Sequence, residues 1–449
     1  MPGRTVLSAV LSSRTPRGAL RRALPTPLPP LRRAALLALR ALARARPARR
    51  PARRPRVAIL LRHAYGTGGT VRTVLATSGH LAREHDVEVI SLVRERAEPF
   101  FPVPDGVAIT VADDRTRPHG RVARLLSRLP SVLLSVEPGT ARETLWTDVR
   151  LARLLLASRA DVLIGTRPSL NLLIAETAPP GVVTIGQDHM NLRSYRPGQR
   201  SRIRRGYPRL TALTVLTEAA REQYAAALAG TGVRIVRIPN ALATPPGAPS
   251  PRTDRVVLAA GRLVRQKGFD LLLDAYEPLA AERPDWTLRI FGSGAHRARL
   301  AARIAERGLT GRVELRPRTA DLAGEMERAS VYALSSRYEG MPMVVLEAMS
   351  KGLAVVAFDC PTGPAEMIAH GADGLLVPPG DVAGLTAALR LLMDDADLRD
   401  ELGERARASV RAYDPDWIAP RWLALVDDLT ARPARRAVTP RRPAPRPSR

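Results

Sequence analysis

From residue 56 onward the hydrophobic positions alternate between two rhythms. Short β-branched runs, RVAILLR from Arg56, DVEVISLV from Asp86, VAITVA from Val107, DVLIGT from Asp161, VVTIGQ from Val182 and TALTVLT from Thr211, are separated by stretches with helical spacing. Runs that are apolar at nearly every position, not every second one, predict parallel strands covered on both faces. The string PNALATPPGAPSPRT at 239–253 interrupts the pattern and reads as a linker. The alternation then restarts with RVVLAAG, WTLRIFG, RVELRP, VYALSS, LAVVAFD and GLLVPP, with helices predicted near 267–282, 295–307 and 343–352. Helical patterns from 381 to 430 close the body. The expected fold class is α/β, with two doubly wound Rossmann-like domains facing each other across a cleft. The expected boundaries are an extension at 1–55, a first domain at 56–238, the linker at 239–253 and a second domain at 254–412. A helix at 413–430 is expected to pack back on the first domain, followed by a basic tail at 431–449.

Charge changes this picture only at the ends. The 449 residues carry 70 basic and 43 acidic side chains, a formal net charge of +27. Residues 1–56 hold 15 Arg and residues 431–449 hold 7, with no acid in either segment, so 22 of the 27 excess charges lie outside the middle. A nucleic-acid partner is therefore not expected from total charge. The stretch LRRAALLALRALARAR at 31–46 has two readings. One is a cationic helix with Leu31, Ala35, Ala38, Leu39 and Leu42 on one side, suited to the surface of an anionic membrane. The other is a disordered leader or an overlong gene start, flanked by proline. Cys360 is the only cysteine, the seven histidines show no metal-binding spacing, and no apolar run reaches the roughly 18 residues of a membrane span. No metal, no cofactor and a cytoplasmic location, peripheral to the inner face of the membrane at most, are the resulting expectations.

Open α/β sheets bind ligands at the carboxyl ends of their strands. Those loops are HAYGTGGT, GTRP and QDHMNL in the first domain, and GRLVRQKG, GSGA, SSRYEGMP and DCPTGP in the second. In EGMPMVVLE, Glu339 falls in a loop and Glu347 inside the following helix, among Val344, Val345, Leu346, Ala348 and Met349. A buried carboxylate there needs a partner, such as a ligand hydroxyl. The alternative is an ordinary Glu347–Lys351 pair at i,i+4. The N–H groups around Gly340, Met341, Pro342 and Met343 open that helix as an anion site, with Pro342 in its first turn. Glu339 beside an anion is explained if it faces a sugar attached to the phosphate.

Arg262 and Lys267 supply positive charge. The chain has 68 Arg and only two Lys, 267 and 351, so a lysine at 267 points to a requirement for a compact ammonium. Gly68 and Gly69 let backbone approach a phosphate, with Thr70 as the expected N-cap; tight-turn glycine is the alternative. His189 follows a strand at the cleft edge. The segment 193–209 holds seven Arg, of which Arg193, Arg196 and Arg200 are candidates for an anionic acceptor.

The segments GRLVRQKGFDLLLDAY, SSRYEGMPMVVLEAMSKGLAVVAFDCPTGPAEMI and DGLLVPPGD strongly resemble family 4 retaining glycosyltransferases of the GT-B fold, and GTGGTVR looks like that family's glycine loop. The resemblance covers roughly residues 56–430. It implies that Arg262 and Lys267 hold the diphosphate of a UDP- or GDP-linked sugar, that Glu339 meets sugar hydroxyls and that Glu347 meets the ribose. It further implies that the amides at 340–343 and of Gly68 and Gly69 contact phosphate or sugar, and that His189 lies near the sugar. Glu339, His189, Arg262 and Lys267 are the expected catalytic residues. The expected reaction is metal-independent retaining transfer of a hexose-type sugar to a glycan, lipid-linked or polyol-phosphate acceptor of the cell envelope. A convincing DxD motif is missing, its instances being DAD at Asp395 and DPD at Asp414. A sugar-nucleotide epimerase or phosphorylase, and a non-catalytic binding protein with basic tails, are the alternatives.

Overall fold

The apolar runs become strands because each is covered on both sides. In a computed structural model describing residues 29–45, 54–134, 143–242 and 247–431, five consecutive residues of β1 (Arg56–Leu61) are buried. β1 lies inside a parallel sheet with β2 (Asp86–Arg94), β3 (Val107–Asp114), β4 (Val162–Gly165), β5 (Val183–Asp188), β6 (Ala212–Val215) and β7 (Arg234–Arg237), in the order β3-β2-β1-β4-β5-β6-β7. One face is covered by α1 (Pro29–Arg44), α4 (Leu145–Ala157), α5 (Pro168–Thr177), α6 (Pro197–Gly206) and α7 (Glu218–Ala227), and α3 (Arg121–Leu126) packs against α4. α2 (Gly69–Leu81) covers the other face.

The second sheet, also parallel, has the order β10-β9-β8-β11-β12-β13, built from β8 (Val256–Ala260), β9 (Thr287–Phe291), β10 (Val313–Arg316), β11 (Val331–Leu334), β12 (Ala354–Phe358) and β13 (Leu375–Val377). α8 (Phe269–Glu282), α9 (Arg297–Glu306) and α13 (Val382–Asp394) pack on one face. α10 (Leu322–Glu327), α11 (Met343–Ser350), α12 (Pro364–Met367) and part of α14 (Ala396–Ser409) pack on the other. The strand order reverses between β1 and β4 in the first sheet and between β8 and β11 in the second, which marks the crevices where such sheets take ligands.

α15 (Pro415–Ala431) crosses to the first domain. Ile418, Trp422, Leu425, Val426 and Leu429 fill the same core as Val57, Ile59 and Val74, and Arg234 pairs with Asp428. The linker is held as well. Leu242 donates its N–H to the carbonyl of Tyr413, Ser250 bonds Ala329 and Lys351, and Arg252 reaches Asp400, Glu404 and the carbonyl of Gly352.

Of the two readings of 31–46 the structure shows the helix: α1 packs on α4 and α5 through Leu36 and Ala43, with Arg32 bonded to Glu176 and to the carbonyl of Leu133. The apolar side expected of that helix is split: Ala35 and Leu39 face the core, whereas Leu31, Ala38 and Leu42 face outward. The helix carries two apolar stripes, and the Arg32–Glu176 contact accompanies the one that docks. Residues 1–28, 46–53 and 432–449 lie outside the described residues.

Trp422 is buried in the first-domain core, so Trp422→Ala should destabilise that domain by about 3–5 kcal/mol, read as an earlier first transition in urea unfolding. Asp428→Asn breaks an ion pair that is largely exposed and should cost no more than about 1 kcal/mol in the same measurement.

Candidate functional site

The loops after β8 and β11 are packed backbone to backbone. Gly268 has φ +63°, and a Cβ there would lie 1.9 Å from the carbonyl oxygen of Ser335, so only glycine fits. This close approach brings Lys267, at the end of a short 3₁₀ turn, to Glu339. The Lys267 Nζ donates to Glu339 Oε1 at 2.6 Å, and the Ser336 hydroxyl donates to the same oxygen at 2.5 Å. Glu339 is buried. Arg337 grips Asp270 with both arms, at 2.8 and 2.7 Å, and bonds the carbonyl of Arg265, which fixes the two loops to each other. Arg262 stays exposed at the rim, its guanidinium donating to the Gln266 side chain at 3.0 Å.

Helix α11 begins at Met343, with Pro342 as its N-cap and not, as expected, inside the first turn. The amides of Met343 and Val344 therefore precede any intrahelical acceptor, at the end of the helix where its dipole favours negative charge, with Gly340 and Met341 leading into it. Gly340 touches the other domain: a Cβ on it would meet the carbonyl oxygen of His189 at 1.9 Å. Asn191 closes the same seam, its Nδ2 donating to the Glu339 carbonyl at 3.2 Å and to Thr362 Oγ1 at 2.8 Å. Further along, both carboxylate oxygens of Glu366 accept the first amides of α7, those of Glu218 and Ala219.

Glu347 does not pair with Lys351. It forms an ion pair with Arg72 of the first domain, while Lys351 is buried and holds Glu327 and the carbonyl of Ala248. Burial pushes the Glu347 carboxyl above the usual carboxylate range, and Arg72 opposes that rise. Arg72 lies one turn into α2, whose N-cap is Gly68 and not Thr70. A Cβ on Gly68 or Gly69 would meet nothing within 4 Å, and neither has a positive φ. These glycines are thus not demanded by a tight turn; they leave the start of α2 open toward the cleft.

His189 ends the first domain's contribution. Burial lowers its ring pKa to about 4, so the imidazole is neutral at physiological pH. Its Nε2 is sealed from solvent and has no partner among the described residues. The adjacent Asp188 accepts from Tyr195 at 2.5 Å and from Tyr224 and the Met190 amide, so it is committed to the fold. Cys360 is buried beside this cluster, its thiol pushed up to about 12 by burial and by Glu339, which leaves it unreactive.

The structure thus brings together Glu339, Lys267, Gly340, Met341, Pro342, Met343, Glu347 and His189, with Arg262 at the rim and Gly68 and Gly69 at the facing helix start. Arg193, Arg196 and Arg200 are placed elsewhere, on and before α6, and the Arg-rich segment expected as a loop is largely that helix. Asp395 and Asp414 precede helices in the second domain's tail, Asp395 capping α14 through the Leu398 amide. Arg72, Asn191 and Glu366 were not singled out from sequence as site residues. Asn191, two residues after His189, was the nearest to a readable signal.

Residues 244–409 match the family description "Glycosyl transferases group 1". The chain is 36% identical over 388 residues to an exopolysaccharide phosphotransferase of Streptomyces coelicolor, an alignment covering 84% of this chain and 41% of that protein. It is 25% identical over 377 residues to an uncharacterized glycosyltransferase of Haemophilus influenzae, covering 83% of this chain and 99% of the relative. Among solved structures it resembles HepE of Anabaena in complex with UDP and glucose, with a TM-score of 0.63 at 17% identity, covering 83% of this chain and 99% of that one. The paired doubly wound sheets are a GT-B fold, the likeness to group 1 glycosyl transferases is confined to residues 244–409, and the chain spans 41% of the length of the Streptomyces relative.

Proposed function

We propose that the protein is a retaining, metal-independent glycosyltransferase that moves a hexose-type sugar from a nucleoside-diphosphate donor to an acceptor hydroxyl on an envelope glycan, lipid-linked saccharide or polyol phosphate. The observation that carries this reading is the arrangement of a buried carboxylate, Glu339, and a half-buried one, Glu347, with an open helix start between them in the chain and Lys267 and Arg262 beside it. A carboxylate accepts from paired hydroxyls, and helix-start amides with cations accept a diphosphate. The UDP held by the Anabaena relative supports a uridine donor.

In this reading the diphosphate lies on the amides of Met343 and Val344, with Arg262 closing over it from the rim. Lys267 has three donors, so it keeps Glu339 and still reaches a phosphate oxygen. Glu339 orients the sugar hydroxyls and Glu347 the ribose hydroxyls, the latter in place of Arg72. Fixed cations and amides stabilise the charge that develops on the leaving diphosphate without reorganising. His189, being neutral, donates or accepts a single hydrogen bond to the sugar through Nε2. Asp188, the carboxylate nearest in sequence, is spent on two tyrosines, which favours front-face transfer in which the leaving phosphate takes the acceptor proton.

Thermal unfolding with UDP, GDP and ADP tests the donor site. A ligand at about 100 times its Kd adds about 2.7 kcal/mol, and the shift should appear with UDP, persist in EDTA and vanish in Arg262→Ala/Lys267→Ala. No shift with any of the three nucleotides overturns the reading.

Nucleotide affinity should also depend on pH through Glu347. The ionised carboxylate is the acceptor, so binding is complete above its pKa and is lost as pH falls through it. Arg72→Gln removes the group that holds this pKa down, so the loss should begin at higher pH than in the wild type. At pH 8.5 the variant should bind at least as tightly, because no guanidinium has to be displaced. Titration calorimetry from pH 5 to 8.5 reads both effects.

A further inference from the structure

Ten large hydrophobic side chains are exposed among the described residues, and seven of them fall on one group of adjoining helices. Leu31, Leu37 and Leu42 lie on α1, Val122, Leu125 and Leu129 on and just after α3, and Val149 on α4. α4 packs against both α1 and α3, so the three helices are neighbours. On α1 the positions between the leucines are Ala34, Ala38 and Ala41, all exposed, so the outward stripe contains no polar residue. The opposite stripe, Leu36 and Ala43, is already docked on the first domain. A helix apolar on two sides and packed on only one lacks a cover for the second.

The surroundings of this stripe are cationic. Arg33 and Arg44 flank it on α1, and Arg121, Arg124 and Arg128 are exposed between the apolar residues of α3 and its C-terminal turn. Beside α1 a groove of about 550 Å³ is bordered by Arg32, Arg33, Arg202, Arg205 and Arg209, with Glu176, the acid there, paired to Arg32. Burial and repulsion from Arg44 and Arg209 pull the Arg40 guanidinium below its ordinary range, against the pull of Glu176. The chain's own ends do not suit the face: residues 1–28 contain five Arg and residues 432–449 seven, with no acid in either. A second copy brought up by two-fold symmetry would oppose arginine with arginine. The occupant must be anionic and at the same time accept leucine side chains.

We propose that α1, α3 and α4 form a docking face for a bilayer surface containing anionic phospholipid, with Leu31, Leu37 and Leu42 among the acyl chains and the flanking arginines on headgroup phosphates. α1 lies in the plane of the interface, as its uncovered stripe and cationic flank require. No helix among the described residues is long and apolar enough to cross a membrane, so the contact is peripheral. It is separate from the nucleotide site, because no residue of this face belongs to the cluster around Glu339 and Glu347.

The test is co-sedimentation of the full chain with vesicles of phosphatidylglycerol and phosphatidylcholine, against vesicles of phosphatidylcholine alone. The variants are Leu37→Gln/Leu42→Gln and Arg33→Gln/Arg44→Gln, all exposed positions, with unchanged thermal unfolding as the folding control. The expected result is binding to the anionic vesicles only, weakened by salt. Each arginine removed should lower partitioning about fivefold and each leucine removed about tenfold. Absence of binding to anionic vesicles overturns the proposal. So does binding that the arginine variant loses and the leucine variant keeps, matched by equal affinity for soluble polyphosphate, since that describes a site for a dissolved polyanion. Lipid-free dimerisation abolished by the leucine variant would assign the face to a second copy instead.

Discussion

The site depends on the cost of holding two carboxylates out of water. Glu339 and Glu347 flank the start of a helix whose other side chains are apolar, and an ionised carboxylate left unpaired in such surroundings is expensive enough to neutralise itself or to unfold the segment. Each is therefore matched to a cation that comes from far away in sequence. Lys267 reaches Glu339 from the loop after β8, and Arg72 reaches Glu347 from the first domain. The first pairing ties together the two strands that flank the second sheet's switch point. The second ties one domain to the other, so the charge of Glu347 is satisfied only when the cleft is closed or when hydroxyl groups replace the guanidinium.

That requirement gives the seam between the domains its character. The contacts around it are short and directional: a peptide carbonyl at His189 against a residue without a side chain, Gly340; an amide of Asn191 across to the Glu339 carbonyl; and a carboxylate, Glu366, seated on the first amides of α7. Apolar ties accompany these polar contacts: Leu216, after β6, packs in the same core as Met341 and Met367 of the second domain, and α15 brings Trp422 and Val426 into the first core.

The two sheets were legible from sequence because a strand buried on both faces needs a near-continuous apolar run, and each of the expected runs became a strand. Lys267, Glu339 and the start of α11 were legible for a related reason. They belong to loops fixed by local turns and by strand ends, so sequence position nearly determines spatial position. The partner of Glu347 was not legible, because the nearest cation along the chain, Lys351, sits at a favourable i,i+4 spacing yet is drawn to Glu327 and the linker by tertiary packing. The inward face of α1 was ambiguous in the same way. Its sequence supports two apolar stripes, and the one that docks does so beside an Arg32 contact with Glu176, a residue 144 positions away. The neutral state of His189 also comes from tertiary burial, which no local pattern encodes.

The two lysines show how a compositional oddity can carry structural meaning. In a chain with 68 arginines, lysine persists only at 267 and 351, and both side chains are largely shielded and paired with a glutamate. The Lys267 stem lies across Gly261, where a Cβ would come within 3.3 Å of its Cδ and Cε. A guanidinium is a planar fork that seeks two acceptors side by side, whereas an ammonium is compact and turns its three donors toward whatever is present. At 351 the ammonium donates to the Glu327 carboxylate and the Ala248 carbonyl. At 267 it meets one carboxylate oxygen already shared with Ser336, leaving donors for a further oxygen. The compact ammonium therefore leaves Lys267 able to serve Glu339 and an incoming anion together, and at both positions the lysine matches the acceptors it meets.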